Sequence, residues 1–523
     1  MPLFKKVSAR RSHVRKSMAT ERFMRLSRLA DADIIISVLL WLLFVVLSGL
    51  VLSFDLFQMQ NYHQAASMVL FVVLLSVAGG VYIFHYQSRI IKNHPRALAL
   101  VGLFVLLLFL AKTGILLFGQ LFWATGTAVA AAVILTIAYN QRFATGMSLF
   151  YCVLASFAAG AEAGIQLFLI MTTGAFICCF SLKEIRTRTK LLEVSALAAV
   201  MVFLMGFILQ VLGGSAISSK VFKAAGYHSL SAILVGLLLQ SLLPLIEKAF
   251  KIVTSMTLLD YSDANQPLLR RLAMEAPGTF SHSLLVGSIA EAAAESIGRN
   301  GLLCRVGAYY HDIGKINKPG YFIENELGSG SRHKELSPAM SQLVIIGHVK
   351  DGIEIAKEYG LPAVLRQFIE THHGTTLVEY FYNEAKKQHD STERTAMPHE
   401  SEFRYAGPRP RAKEAAIVML ADAVEGAVRS FRDVTLPKIE AAIHNISMKR
   451  LQDGQFDECD LSLRELSTIE ASMTKTLAAH YHARIPYPGT LVGDYAEDSA
   501  SASSVPFSDD TIPNSRRAQQ RSR

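Results

Sequence analysis

The sequence predicts an all-α membrane protein in two parts, a multispan helical membrane domain followed by an all-helical cytosolic domain. Three observations carry that reading. The 523 residues are 51% hydrophobic and only 18% charged, with a mean hydropathy of +0.31, too apolar for an ordinary soluble chain. The apolar residues concentrate between Ile34 and about Ile246 in runs long enough to cross a hydrocarbon core, and after Lys248 the composition becomes that of a soluble domain. In that second part the apolar spacing is helical, with no hairpin signal and no alternating strand of any length.

Residues 1–32 form a basic tail: Lys5, Lys6, Arg10, Arg11, Arg15, Lys16, Arg22, Arg25 and Arg28 stand against only Glu21 and Asp31, a balance that keeps a segment in the cytoplasm. The membrane domain, 33–246, reads as about eight spans, near 34–54, 66–85, 97–118, 122–139, 143–160, 165–182, 191–213 and 229–246. Alternate connections carry the remaining cations, namely Arg89, Lys92 and Arg96, then Arg142, then Lys183, Arg186, Arg188 and Lys190, then Lys248 and Lys251. The intervening ones carry Asp55, nothing, and Glu162, and only Lys220 and Lys223 break the pattern. An even count of spans places the N-terminus and the soluble domain together in the cytoplasm, in a multi-pass protein of the inner (cytoplasmic) membrane.

The formal net charge of +9 is concentrated in the tail and the membrane-flanking loops, which excludes a nucleic-acid polymer as the partner it implies. The first apolar run, about 21 residues without a small-residue cleavage pattern, reads as an anchor and not a secretory signal. Five cysteines show neither a disulfide framework nor metal-ligand spacing.

Residues 247–276 read as a helical connector ended by Pro277 and Gly278. The soluble domain follows over 277–491. There Leu285, Ile289, Ala293 and Ile297 recur every four residues, and "SPAMSQLVIIGHVKDGIEIAKEYG" opens on a Ser-Pro helix start and closes on Gly360. The polar tail, 492–523, is expected to be disordered.

The chemistry-bearing residues lie in the soluble domain. Of sixteen histidines, His282, His311, His348, His372 and His373 have acidic or histidine companions at helical positions, with Asp312 and Asp422 supplying carboxylates. Neutral imidazole and carboxylate together suit iron, manganese or zinc, and a bridging carboxylate lets two such ions sit about 3.5–4 Å apart. Neighbours on a helix project about 100° apart, so His311-Asp312 and His372-His373 can each send ligands toward different ions. A single His-Asp pair is more often a surface pair or a capped helix end; two adjacent pairs in one all-α domain point to a cluster.

The series His282, His311-Asp312, His348, His372-His373, Asp422 resembles the two-metal HD-domain phosphohydrolases. Still closer is the resemblance to the seven-transmembrane receptors with an intracellular HD hydrolase domain, whose characterised members are cyclic di-AMP phosphodiesterases. It is carried by "APGTFSHS", "RVGAYYHDIGKINKPGYFIEN", "HVKDGIEIAKEYGLP", "FIETHHGTTLVEYFY", "FRYAGPRPRAKEAAIVMLADAVEGAVRS" and "DECDLSL", strongly over about 265–490 and loosely over the spans. The resemblance implies one metal position at His282, His311, Asp312 and Asp422 and a second at Asp312, His348, His372 and His373, occupied by divalent transition-metal ions such as iron or manganese. Asp312 would then bridge. It also implies hydrolysis of cyclic di-AMP to linear 5′-pApA by a two-metal-activated hydroxide, with Asp312 and Lys315 as the catalytic pair and Lys315 as a point charge on a phosphate oxygen. Arg429 could assist, or form an ordinary surface ion pair, and Gly314 reads as a close-packing residue.

Two departures from the family pattern stand out. Only about a dozen residues, "DLFQMQNYHQAA", separate the first two spans, where the family has a large extracytoplasmic domain, and Phe280 replaces a frequent Tyr. The alternatives are an HD hydrolase of another nucleotide, or a membrane receptor that only binds nucleotide. Against cyclic di-GMP, "GTTLVEYFYN" after His373 lacks the acidic residue and Gly-Tyr-Pro signature of that class. The lipid bilayer and a cyclic dinucleotide are the partners implied.

Overall fold

The computed structural model describes residues 33–91, 93–160, 164–182, 187–326, 332–392 and 397–482. The basic tail, the C-terminal tail and the loop cations Lys92, Lys183 and Arg186 lie outside them. The described residues are helical, joined by turns and short 3₁₀ segments, with one isolated bridge between Leu377 and Arg404.

Eight helices fill the apolar part: α1 (Asp33–Gln58), α2 (Tyr62–Ile91), α3 (His94–Phe118), α4 (Phe122–Ala138), α5 (Gln141–Ala158), α6 (Gly164–Ser181), α7 (Arg188–Leu212) and α8 (Ser219–Phe250). Six of them are long and apolar enough to cross a membrane; α4, at 17 residues, and α5 are the exceptions. Those two lie innermost. Thirteen of the 17 residues of α4 are buried, and α5 buries Phe143, Tyr151 and Cys152, so neither needs the length or the greasiness of a lipid-facing helix. The caps are legible in the residues. Asn93 and Asn140 accept from the backbone N–H groups of Arg96 and Phe143, and Gly119 ends α3 in the left-handed region.

The ends of the bundle are tied by polar contacts. At one end His94 Nε2 lies 2.9 Å from Asp33 Oδ1, Gln141 donates to the Phe180 carbonyl, and the Arg96 guanidinium donates to the carbonyls of Phe250 and Lys251. At the other, Lys112 donates to Asp55 Oδ2 at 2.8 Å and to the Ala158 carbonyl at 3.2 Å. Asp55 was expected in an external loop. Instead α1 runs on to Gln58, because a lysine in an apolar helix needs a carboxylate partner within reach.

The connector is not one helix. After α8 the chain turns at Lys251, which has φ +51°, then forms α9 (Ser255–Ser262) and α10 (Pro267–Glu275). Glu247 accepts from the Thr254 N–H and the Thr257 hydroxyl, which fixes the turn, and Leu258, Leu268, Leu269 and Leu272 pack into a core with Val306, Tyr310, Leu365 and Ile369. The last helix of the connector ends at Glu275, just ahead of Pro277 and Gly278, and Pro277 in turn opens the next helix. It occupies the first turn of α11 (Pro277–Ser296), where its missing N–H costs nothing.

Around α11 stand α12 (Gly301–Tyr310), α13 (Pro338–Glu358), α14 (Ala363–Thr371), α15 (Glu379–Thr392), α16 (Lys413–Arg429), α17 (Leu436–Gln452) and α18 (Leu463–His482). A second core joins Val286, Ile289 and Ala293 of α11 to Val424 of α16, Ile443 of α17 and Ile469 of α18. The site lies where α11, α12, α13, α14 and α16 converge. Ser337 caps α13 by accepting from the Met340 N–H, and Gly360 follows its end with φ +67°, as the motif predicts.

Candidate metal centre

His282 comes from α11, His348 from α13 and Asp422 from α16, while the two adjacent pairs sit at helix ends. His311 caps the C-terminus of α12, with Asp312 leading into a 3₁₀ turn, Ile313–Asn317; His372 caps α14. Neighbours 100° apart on one helix were expected. Instead each pair sits where its helix ends, which brings a helix C-terminus, whose dipole favours cations, against the cluster, and His372 and His373 fall in the same group of four instead of facing different ions. At Gly314 a Cβ would lie 1.8 Å from the His348 carbonyl oxygen, so only glycine lets this turn pass under α13.

All seven residues converge in two groups of four that share Asp312: His282, His311, Asp312 and Asp422, and Asp312, His348, His372 and His373. The two Asp312 oxygens divide between them. Oδ2 lies 3.2 Å from His311 Nε2 and 3.8 Å from His282 Nε2; Oδ1 lies 3.3 Å from His348 Nε2 and 3.5 Å from His372 Nε2. Asp422 Oδ1 lies 3.1 Å from His282 Nε2, and its Oδ2 lies 3.8 Å from His373 Nδ1. Donor atoms at about 2.1 Å from a common ion stand about 3 Å apart, so these spacings suit coordination.

Proton bookkeeping argues the same way. A carbonyl can only accept, so the contacts His311 Nδ1 to Ala308 O, His348 Nδ1 to Ile345 O and His372 Nδ1 to Ile369 O place the proton on Nδ1. That leaves the Nε2 atoms of His348 and His372 facing each other at 3.1 Å as two lone pairs, an arrangement a cation between them explains. His311 Nε2 and Asp312 Oδ1 are buried without a hydrogen-bond partner. The residues present fit two divalent ions.

The two groups differ in charge state. Burial, then the neighbouring His372, hold His373 well below the ordinary imidazole value, and burial lowers His372. For His311, burial lowers the pKa, but Asp312 and then Asp422 outweigh it and push it up to about 10; for His282 burial also lowers it, but the hydrogen bonds its ring donates to Asp422 and Glu425 outweigh burial and raise it. Burial would raise both carboxyls, but His311 and Lys315 at Asp312, and His282 and His311 at Asp422, hold them well below the carboxylate range. The group of His282 and His311 therefore holds protons that an incoming ion must displace.

Metal affinity at that group should rise by about tenfold per pH unit for each proton displaced, up to about pH 10, where His311 loses its own. Calorimetric titration with Mn²⁺ in two buffers of different ionisation enthalpy counts those protons; a count of zero at pH 7 contradicts this reading. In the metal-free protein the raised His311 pKa contributes stability that is complete below about 6.5 and is lost as pH rises through about 10.

Several residues at the site escaped the sequence reading. Glu425 Oε2 accepts from His282 Nδ1 at 2.5 Å, and its Oε1 pairs with Arg429 at 3.6 Å, so Arg429 reaches the cluster only through Glu425. The spacing Asp422, Glu425, Arg429 on one helix face was the available signal. Because second-shell carboxylates fix ring orientation, Glu425→Gln should weaken metal binding by about 10–100-fold with the fold retained, read by metal competition against a chelator; unchanged affinity would make Glu425 a packing residue.

Lys315 Nζ is engaged by Asp312 Oδ2 at 2.7 Å and Glu324 Oε1 at 2.6 Å, over the Phe322 ring. Asn325, beside Glu324, caps α11 by accepting from the N–H groups of Gly278 and Thr279. A Cβ at Gly278 would lie 1.7 Å from the Glu324 carbonyl oxygen. Tyr405 stacks on His373 at 4.3 Å, and the fully buried Gln455 accepts from the Thr375 N–H, fixing the turn after His373.

The family described as "7TM receptor with intracellular HD hydrolase" matches residues 62–254, and the "HD domain" family matches residues 279–427. Cyclic-di-AMP phosphodiesterase PgpH of Bacillus subtilis is 35% identical over 441 residues, 82% of this chain and 61% of that protein. The protein of the same name from Listeria monocytogenes is 34% identical over 447 residues, 82% of this chain and 60% of that one. The chain thus spans about three-fifths of the length of these curated relatives. A crystal structure of the L. monocytogenes PgpH HD domain in complex with cyclic-di-AMP is 43% identical and is covered entirely by 42% of this chain, with a TM-score of 0.40. The chain belongs to the family of 7TM receptors with an intracellular HD hydrolase.

Proposed function

We propose that the chain is a membrane-bound, metal-dependent phosphodiesterase that opens cyclic di-AMP to linear 5′-pApA. The observation that carries this reading is the division of the two Asp312 oxygens between two four-residue groups of metal-ligand type, beside a cavity of about 700 Å³. The relatives' shared name supplies the substrate.

When bound, the two ions lower the pKa of a water and neutralise charge on the phosphoryl oxygens; iron or manganese suits the mixed imidazole and carboxylate set. The chain's residues do the rest. Backbone carbonyls and Glu425 hold each of His311, His348, His372 and His282 by Nδ1, aiming Nε2 inward. Asp312, kept ionised by its cationic neighbours, offers one oxygen to each position. Lys315 lies in the cavity wall, with two of its three ammonium donors used by carboxylates and one left for a substrate oxygen. Tyr321, Phe322, Phe381 and Tyr405 line the same cavity and offer aromatic faces on which nucleobases stack.

The direct test is hydrolysis by the purified full-length protein of cyclic di-AMP, cyclic di-GMP and linear pApA, compared under Mn²⁺ and Fe²⁺. Cyclic di-AMP should be turned over fastest, with pApA as product. Preference for cyclic di-GMP, or no turnover of any diester, overturns the reading.

The reading also sets the membrane orientation, with the metal centre on the cytoplasmic side. Reporters fused in loop 183–190 and after Lys251 should register as cytoplasmic, and one within 56–64 as external. The contact of Arg96 with the Lys251 carbonyl supports the position after Lys251, since it joins two of the basic connections at one end of the bundle. A cytoplasmic signal from 56–64 would contradict the assigned topology.

A further inference from the structure

Within the membrane domain a cavity of about 370 Å³, inside the size range of ligand pockets, lies among α1, α2, α3 and α5. Among the described residues its wall carries no charge. The polar side chains in it are Ser37, Trp41 and Ser76, and their donors are already used: Trp41 Nε1 donates to Ser76 Oγ at 2.9 Å, while the Ser76 and Ser37 hydroxyls donate to the carbonyls of Val73 and Asp33. Such a lining leaves no donor for a polar ligand and suits hydrocarbon. Gly79 is buried in this wall, yet a Cβ there would meet only Phe150, at 4.0 Å, so the wall has room for a side chain it does not carry.

The surroundings decide which hydrocarbon. α1 and α2 bury only 17% and 11% of their most apolar stretches, so lipid surrounds this corner of the bundle. On α1 the lining runs from Ile34 to Phe44, about 15 Å of helix, which is half of a hydrocarbon core about 30 Å thick. That is the depth of one leaflet. The lining starts at an end of the bundle, since Ile34 follows Asp33, which meets His94, and Ala97 follows Arg96. Arg96 donates to the carbonyls of Phe250 and Lys251 and, among the described residues, pairs with no carboxylate, so its charge is left to attract the phosphate of a lipid headgroup.

We propose that this cavity holds one acyl chain of an anionic phospholipid from the leaflet at the Arg96 end, with the phosphate of that lipid at the Arg96 guanidinium. The site is independent of the reaction at the metal centre.

The test uses the full-length protein in nanodiscs of dioleoyl phosphatidylglycerol and dioleoyl phosphatidylcholine in equal parts, extracted into detergent and weighed by native mass spectrometry. Wild type should retain one phosphatidylglycerol more per chain than Gly79→Leu, whose new side chain fills part of the cavity. In lipid-free detergent the Tm of that variant should be unchanged or higher, because its leucine enters open space. A second measurement does not depend on this variant. Trp41 lines the cavity and Trp123 is the other tryptophan of the chain, so Trp123→Phe leaves Trp41 as the sole emitter. After extraction from nanodiscs of chain-brominated phosphatidylglycerol, Trp41 should stay quenched relative to protein taken from unbrominated discs. Equal retention by wild type and Gly79→Leu, retention of phosphatidylcholine in place of phosphatidylglycerol, a retained mass that is no phospholipid, or full recovery of Trp41 emission overturns the proposal. Should Gly79→Leu show a lowered Tm, the quenching of Trp41 alone decides, persistence supporting the lipid site and recovery overturning it.

Discussion

Asp312→Ala should abolish hydrolysis, by about 10³-fold or more, and strip metal from both positions. A single charge-stabilising donor is worth about 10²–10³ in turnover, and Asp312 serves two ions at once. Its Oδ2 faces His282 and His311, and its Oδ1 faces His348 and His372, so neither group stays complete without it. Metal analysis of the purified variant beside its turnover distinguishes this from loss of one ligand among several. Retention of both ions with measurable turnover would refute a bridging role.

Lys315→Ala should lower turnover by about 10²-fold while leaving most of the metal bound. The ammonium lies against Asp312 and Glu324 and in the wall of the cavity, so its removal costs the site a positive charge beside the bridging oxygen. It also leaves the Glu324 carboxylate, only 6% exposed, without its cation, and breaking one side of a buried pair costs about 3–5 kcal/mol of stability. The double variant Lys315→Met, Glu324→Gln removes that uncompensated charge. Its Tm should recover relative to Lys315→Ala while its turnover stays low; a turnover that recovers with Tm would make Lys315 a folding residue alone.

How much of this was legible in the sequence differs from element to element. The helical class was plain, because apolar spacing and helix signals such as Ser337-Pro338 and Gly360 act locally. Residue chemistry reduced sixteen histidines to five, and the family resemblance divided seven residues into two sets; the geometry groups the same residues. Longer-range matters were less visible. Sequence windows measure greasiness and not neighbours, so α4 and α5 look like ordinary spans although their companions bury most of α4 and ten of the 18 residues of α5. The connector reads as helical because its leucines keep helical spacing, yet it is broken into α9 and α10, and Leu258, Leu268 and Leu272 face a core supplied by residues from Leu302 to Ile369. Glu324 carries no local signature; it matters because folding sets it against Lys315.

The measurement that bears most directly on the central claim is the number and separation of metal ions in crystals of the full-length protein, located by anomalous scattering at the iron or manganese edge. Two ions per chain should appear about 3.5–4 Å apart, with Asp312 between them, His282, His311 and Asp422 around one, and His348, His372 and His373 around the other. A single ion in fully loaded protein, or two ions too far apart for one carboxylate to join, would contradict the account.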